Sequence, residues 1–317
     1  MPVDPAIGSM LQALADMGAP SLATGDVAGA RQRFSFMTTG LRDPATMARV
    51  ASTEDIAVPG AAAPVRARVY RPEGRPQALP TLVFFHGGGF VIGDIDSHDD
   101  QARLLCARAD VVVLSVDYRL APEAKAPAAA RDCWAATQWA VEHVAELGGD
   151  PARVAVGGDS AGGNLAALVA IAARDAGVAL AAQLLLYPSV DFNPDADYPS
   201  RTDNGDGYFL TAEDMLWFAG HYLPEGGDPA DPSFSPAYAD LTGVAPAIIA
   251  TAEFDPLRDE GEAYAGALEK AGVPVVLRRY DAMVHGFFGF GLLSPAAAEA
   301  VEEICAELAS MLRRPQD

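Results

Sequence analysis

Basic residues are scarce. The 317-residue chain carries 22 Lys and Arg against 43 Asp and Glu, a formal net charge of −21. Nucleic-acid binding draws its affinity largely from Lys and Arg contacts to phosphate, so this balance argues against a nucleic-acid partner. It argues equally against an anionic membrane surface. Cysteine is rarer still: Cys106, Cys133 and Cys305 stand far apart, with no Cys-x-x-Cys pair for a metal and no framework for disulfides. Isolated thiols of this kind fit a reducing compartment and core positions. Long hydrophobic runs are absent too. The longest uninterrupted one, Leu165 to Ala173, falls far short of the ~20 residues of a membrane span. Nor does Met1-Pro2-Val3-Asp4-Pro5 have the basic start of a signal peptide. Together these absences predict a cytoplasmic protein with no membrane insertion.

What is present is apolar mass. Half the residues are hydrophobic, enough for a sizeable core in one large α/β domain or two smaller ones. Ile7, Met10, Leu11, Leu14 and Met17 fall at helical spacing, and a second helical stretch follows Thr24. After residue 50 the texture changes. Val65–Tyr70 alternates like a strand. Thr81-Leu82-Val83-Phe84-Phe85 and Val111–Val116 are short, nearly continuous apolar runs, which suit strands buried on both faces of a parallel sheet. Helix 128–146, strand 153–157, helix 161–175, strands 182–187 and 246–251, helix 258–271, strand 274–280 and helix 295–313 follow. That alternation predicts a doubly wound α/β sheet. Residues 191–240 break the rhythm. They hold 11 acidic residues and a single base, Arg201, and read as an insertion folded over one end of the sheet with the N-terminal helices.

The strongest chemical signal is Gly158-Asp159-Ser160-Ala161-Gly162. It follows an apolar strand and opens a helix, the context of a nucleophile elbow. Small residues two before and two after the serine let so tight a turn form. His86-Gly87-Gly88-Gly89-Phe90 directly follows strand 81–85. Its glycines can bring backbone N–H groups up to a substrate, making half of an oxyanion hole, with the Ala161 amide as the other half. Neither loop contains a G-x-G-x-x-G or a phosphate-loop motif.

A serine needs a base. The expected chain order Ser, acid, His leaves His221 and His285. His221 lies on a helical stretch of the insertion, whereas His285 follows strand 274–280 and the short loop 281–284, so His285 is the better base. The acid lies near the end of strand 246–251. Asp255 and Glu253 both fit there, while Asp259 and Glu260 suit a first helical turn. No His-Glu-x-x-His and no close His/Cys cluster occurs, so no metal and no cofactor is expected.

The sequence resembles the hormone-sensitive-lipase-like (bacterial family IV) carboxylesterases of the α/β-hydrolase fold. The matching motifs are His86–Phe90, Tyr118-Arg119-Leu120-Ala121-Pro122-Glu123, Gly158–Asn164, Asp255-Pro256-Leu257-Arg258-Asp259-Glu260-Gly261 and His285-Gly286-Phe287. They occur in the family's order and span about residues 50 to 315. The resemblance implies a mostly parallel central sheet flanked by helices, with a mainly helical cap. It implies Ser160, Asp255 and His285 as the triad, so resolving Glu253 against Asp255. It also implies Gly87, Gly88 and Ala161 as the oxyanion hole. Two departures stand out: Ala124 follows the Ala-Pro-Glu where His or Asn is usual, and Ala282 stands where a Gly is common.

The implied organisation is N-terminal cap helices over 1–50, core over 51–190, a cap insertion over 191–240 and core again over 241–317. Phe34, Trp217 and Phe218 from the cap, with Phe90 and Phe287 from the core, are the expected substrate-binding aromatics. The expected activity is hydrolysis of small neutral esters of short-to-medium acyl chains through an acyl-enzyme. A long-chain lipase or amidase on the same triad, or a non-catalytic binding fold, is the alternative. The reading leaves room for a homodimer.

Overall fold

The structure, a computed structural model, describes residues 2–40, 42–74 and 78–313. Eight strands form one sheet: β1 (Ser52–Val58), β2 (Val65–Arg71), β3 (Leu79–Phe85), β4 (Val112–Val116), β5 (Gly149–Asp159), β6 (Ala182–Leu186), β7 (Ala247–Phe254) and β8 (Val275–Val284). Their order is β1-β2-β4-β3-β5-β6-β7-β8. β2 runs antiparallel to both neighbours, and the strands from β4 to β8 pair in parallel.

The continuous apolar runs are explained by the two layers of helix. On β3, Leu82 and Phe84 belong to the core on one face of the sheet, together with Leu105 and Cys106 of α3 (Asp99–Ala109) and Ile304 and Leu308 of α10 (Pro295–Arg313). Val83 and Phe85 pack to the other. That face's core also holds Cys133 of α4 (Ala128–Glu142), Leu165 of α6 (Ala161–Asp175) and Tyr264 of α9 (Arg258–Lys270). With both faces covered, alternation disappears from the sequence. Along α10 the buried residues Ala297, Ala300, Val301, Ile304, Cys305, Leu308 and Leu312 recur at helical spacing. Each buried Leu or Ile there contributes ~1.5–3 kcal/mol.

β1 and α3 were not expected from the sequence. β1 is an edge strand with exposed Glu54 and Asp55. Its Asp55 pairs with Arg66 and Arg68 of β2, so charge pairing rather than apolar alternation holds it. α3 opens with the acidic Asp99-Asp100, although its apolar face is buried. β8 also runs further than expected, through residues 281–284.

The chain reverses direction across the sheet at β3. From β3 it passes to β4 on one side, then returns to β5 on the other. The carboxyl ends of β3 and β5 therefore lie side by side at a switch point, where open α/β sheets bind ligands. Segments 1–50 and 191–240 meet over that end. α1 (Pro5–Asp16) and α2 (Val27–Thr39) come from the first, and α8 (Ala212–Tyr222) from the second. The buried Asp214 joins them: it completes a capping box with Thr211 at the start of α8 and accepts the Ala23 N–H at 2.9 Å.

Candidate active site

Ser160 sits between the last residue of β5 and the first of α6, with φ 57° and ψ −116°. A non-glycine residue at positive φ is strained and persists only where its surroundings over-determine it. Here the Ser160 N–H donates to Leu186 O at 2.8 Å, and the flanking glycines leave no room for a wider turn. A Cβ on Gly158 would strike the Gly162 backbone, and one on Gly162 would strike Phe85 O. The start of α6 points its partial positive charge at the same place.

His285 Nε2 lies 3.0 Å from Ser160 Oγ, and His285 Nδ1 lies 2.7 Å from Asp255 Oδ2. The carboxylate can only accept, so Nδ1 carries the hydrogen and Nε2 turns its lone pair to the serine hydroxyl. Asp255 directly follows β7 and is fully buried. Its other oxygen accepts the Leu257 N–H at 2.8 Å, which locks the carboxylate's orientation. His285 directly follows β8 and is met edge-on by Tyr187. Glu253 is engaged elsewhere, with Arg258 and Arg279. Asp259 pairs with Arg258, and the buried Glu260 with Arg201. The geometry thus joins Ser160, His285 and Asp255 and leaves the competing carboxylates out.

His221 is on α8, edge-on to Trp217. His221→Ala is expected to leave turnover within about tenfold, a change of at most ~1.4 kcal/mol in barrier. Steady-state kinetics beside His285→Ala checks this.

The glycine loop corrects one expectation. The Gly87 N–H already donates to Asp159 Oδ1 at 2.8 Å, so it is committed to a carboxylate and faces away from an incoming oxyanion. Among the described residues the Gly88 and Gly89 amides have no acceptor. Ala161 opens α6, where an N–H has no partner inside the helix. Gly88, Gly89 and Ala161 all line the cavity that holds Ser160, and Gly87 does not. The loop is braced from behind. His86 Nδ1 donates to Gly87 O at 2.7 Å, and Tyr118 OH donates to His86 O at 2.6 Å while stacking on the imidazole.

That cavity encloses about 590 Å³. Phe34, Phe90 and Phe218 line it, but Trp217 and Phe287 do not. Trp217 precedes Phe218 on α8, and a step of one residue turns a side chain by about 100°, toward His221. Phe287 is fully buried in the core between Tyr187 and Tyr280. Lining residues that the sequence reading missed include Tyr187, Leu210, Met215 and Leu257. Met10 and Leu14 also line it, and the helical spacing of α1 had placed them on its apolar face.

Sheet order, strained elbow and the Ser160–His285–Asp255 contact chain are the arrangement of an α/β hydrolase. The sequence model of the alpha/beta hydrolase fold family matches residues 82–289, and the chain belongs to this family, in its hormone-sensitive-lipase-like branch. It is 45% identical to the carboxylic ester hydrolase LipN of Mycobacterium tuberculosis, over 98% of this chain and 84% of that one. It is 40% identical to an ethyl acetate hydrolase of Pseudomonas putida, over 74% of each chain. A solved structure, the hyperthermophilic esterase of the archaeon Pyrobaculum calidifontis, superposes with a TM-score of 0.92 at 42% identity, covering 98% of this chain and 99% of the other.

Proposed function

We propose that the chain is a serine carboxylesterase acting on small neutral esters with short-to-medium acyl chains. The observation that carries this is the unbroken contact chain from Ser160 Oγ through His285 to Asp255, beside amides that have no other acceptor among the described residues. Ser160 Oγ attacks the ester carbonyl carbon as its proton passes to His285 Nε2. The amides of Gly88, Gly89 and Ala161 hold the resulting oxyanion. The intermediate collapses, the carbon–alkoxy bond breaks, and His285 returns the proton to the departing alcohol. Water then attacks the acyl-serine with His285 as base, releasing the acid and restoring Ser160. Asp255 keeps the imidazole in the required tautomer and offsets its charge. Segments 1–50 and 191–240 act as the cap, and 51–190 with 241–317 as the core.

The LipN and ethyl acetate hydrolase names support ester hydrolysis, the second on a small ester. Cavity size supports the chain-length limit. Each added buried methylene gains ~0.8 kcal/mol until the space is full, and overpacking then costs ~1–3 kcal/mol by analogy with protein cores. Across p-nitrophenyl esters from acetate to palmitate, kcat/KM is expected to peak at roughly C4 to C8 and collapse by C14 to C16. A steady rise to palmitate, with a jump above the micelle threshold, would favour a lipase. Among the described residues no helix is long and apolar enough to cross a membrane.

A further inference from the structure

Behind the glycine loop lies a second buried histidine–carboxylate contact. Asp159, the residue before Ser160, is only 5% exposed. Its Oδ1 anchors the Gly87 amide, and its Oδ2 lies 3.6 Å from His98 Nε2. His98 is 3% exposed. Both residues line the Ser160 cavity.

Hydrogen bonding and the neighbouring carboxylates together favour a charged His98. Ser97 Oγ has one hydrogen, which it donates to Asp94 O at 2.8 Å while accepting from Asp94 N at 2.8 Å. The same Oγ lies 3.0 Å from His98 Nδ1 and can only accept there, so Nδ1 carries a hydrogen. Nε2 lies at ion-pair distance from the acceptor-only Asp159 carboxylate, which favours a proton there as well. A ring with both nitrogens protonated is an imidazolium. Burial opposes that charge, but Asp159 foremost, with Asp100 and Asp94, outweighs burial and holds His98 above the ordinary histidine range. The other groups around it do not reverse this. Arg42 is occupied by Asp100 and by the Asp96 and Ser97 carbonyls. His86 has its Nδ1 hydrogen on Gly87 O and no partner at Nε2. Burial, then the His98 charge, pushes His86 down to about 4, so it is neutral. Phe34 of α2 covers His98 from the cap side.

We propose that His98 is a positioning residue that balances the Asp159 carboxylate. Asp159 must be there to anchor the loop through Gly87, yet a bare negative charge beside the forming oxyanion would oppose it. The imidazolium of His98 removes that penalty. This rests on the acyl-transfer reading of Ser160.

The test uses His98→Gln, Asp159→Asn and the double variant, with p-nitrophenyl butyrate as substrate. A fluorophosphonate counts competent Ser160. H98Q is expected to lower kcat by roughly tenfold or more with KM within about twofold, short of the ~10²–10³ of losing an oxyanion donor outright. D159N keeps an oxygen for the Gly87 N–H and removes the charge, so it should lose less. The double variant should recover to the D159N level. Wild-type kcat should also fall at alkaline pH, since His98 holds its proton at neutral pH and loses it as pH rises through its raised pKa. D159N should lack that limb. Wild-type kcat in H98Q, or a double variant as slow as H98Q, overturns the proposal. Should H98Q not fold, the two pH profiles decide: an alkaline limb absent from D159N supports it, and identical profiles overturn it. Hydrolysis by Ser160→Ala would instead overturn the nucleophile reading.

Discussion

Ser160→Ala is expected to lower kcat by roughly 10⁴-fold or more while leaving the fold intact. The side chain's only described hydrogen bond is the one to His285 Nε2, so its loss strands no other group. The elbow is held by backbone, through Ser160 N–H to Leu186 O, and by the crowding of Gly158 and Gly162 against neighbouring main chain. Neither depends on the hydroxyl. Thermal unfolding should therefore shift by a few degrees at most. His285→Ala should fall to a similar residual rate, because nucleophile and base act as one unit. The double variant should be no slower than either single one. Turnover, a fluorophosphonate label and circular dichroism measured together check this. A folded Ser160→Ala protein that still hydrolyses ester at near the normal rate would remove the nucleophile assignment and the mechanism with it.

How far this site was legible in the sequence depends on which kind of constraint placed each residue. The elbow and the glycine loop show themselves because their chemistry demands glycine at fixed offsets. His285 follows from chain order and a strand end, whereas the same reasoning left Asp255 and Glu253 both open, and only the family resemblance separated them. The misassignment of Gly87 arose because three consecutive glycines do not reveal which amide is free. The deciding contact comes from the Asp159 carboxylate, 72 residues away on another strand. His98 lies in Asp96-Ser97-His98-Asp99-Asp100, where nothing local marks it as buried. Only the packed fold buries it against Asp159. Trp217 and Phe218 are adjacent, and nothing local says which one the cavity receives. β1 was missed because charge pairs, not apolar alternation, hold an edge strand.

Gly88→Ala tests the oxyanion loop itself and should be nearly as damaging as removing the nucleophile. Gly88 has φ +112°, a region L side chains rarely adopt, and a Cβ there would lie well inside the 3.0 Å that real contacts with Ile92 O and C respect. The obstacle is backbone, so no rotamer change relieves it. Ile92 cannot withdraw cheaply either, because its own N–H and that of Val91 both close onto Gly88 O. The loop must re-route, and the Gly88 and Gly89 amides move with it. Losing one oxyanion donor costs about 10²–10³ in kcat, so displacing two is expected to cost at least that much. The effect should fall on kcat rather than KM, since these amides grip charge that develops only in the transition state. Fluorophosphonate labelling should slow in parallel, because its transition state uses the same donors. Gly266→Ala is the control. It lies on α9, where an added methyl group would meet nothing within 4 Å, and alanine there should stabilise the helix by roughly 0.5–1 kcal/mol with kcat unchanged. A Gly88→Ala protein with near-normal kcat would mean that the oxyanion is held from somewhere other than this loop.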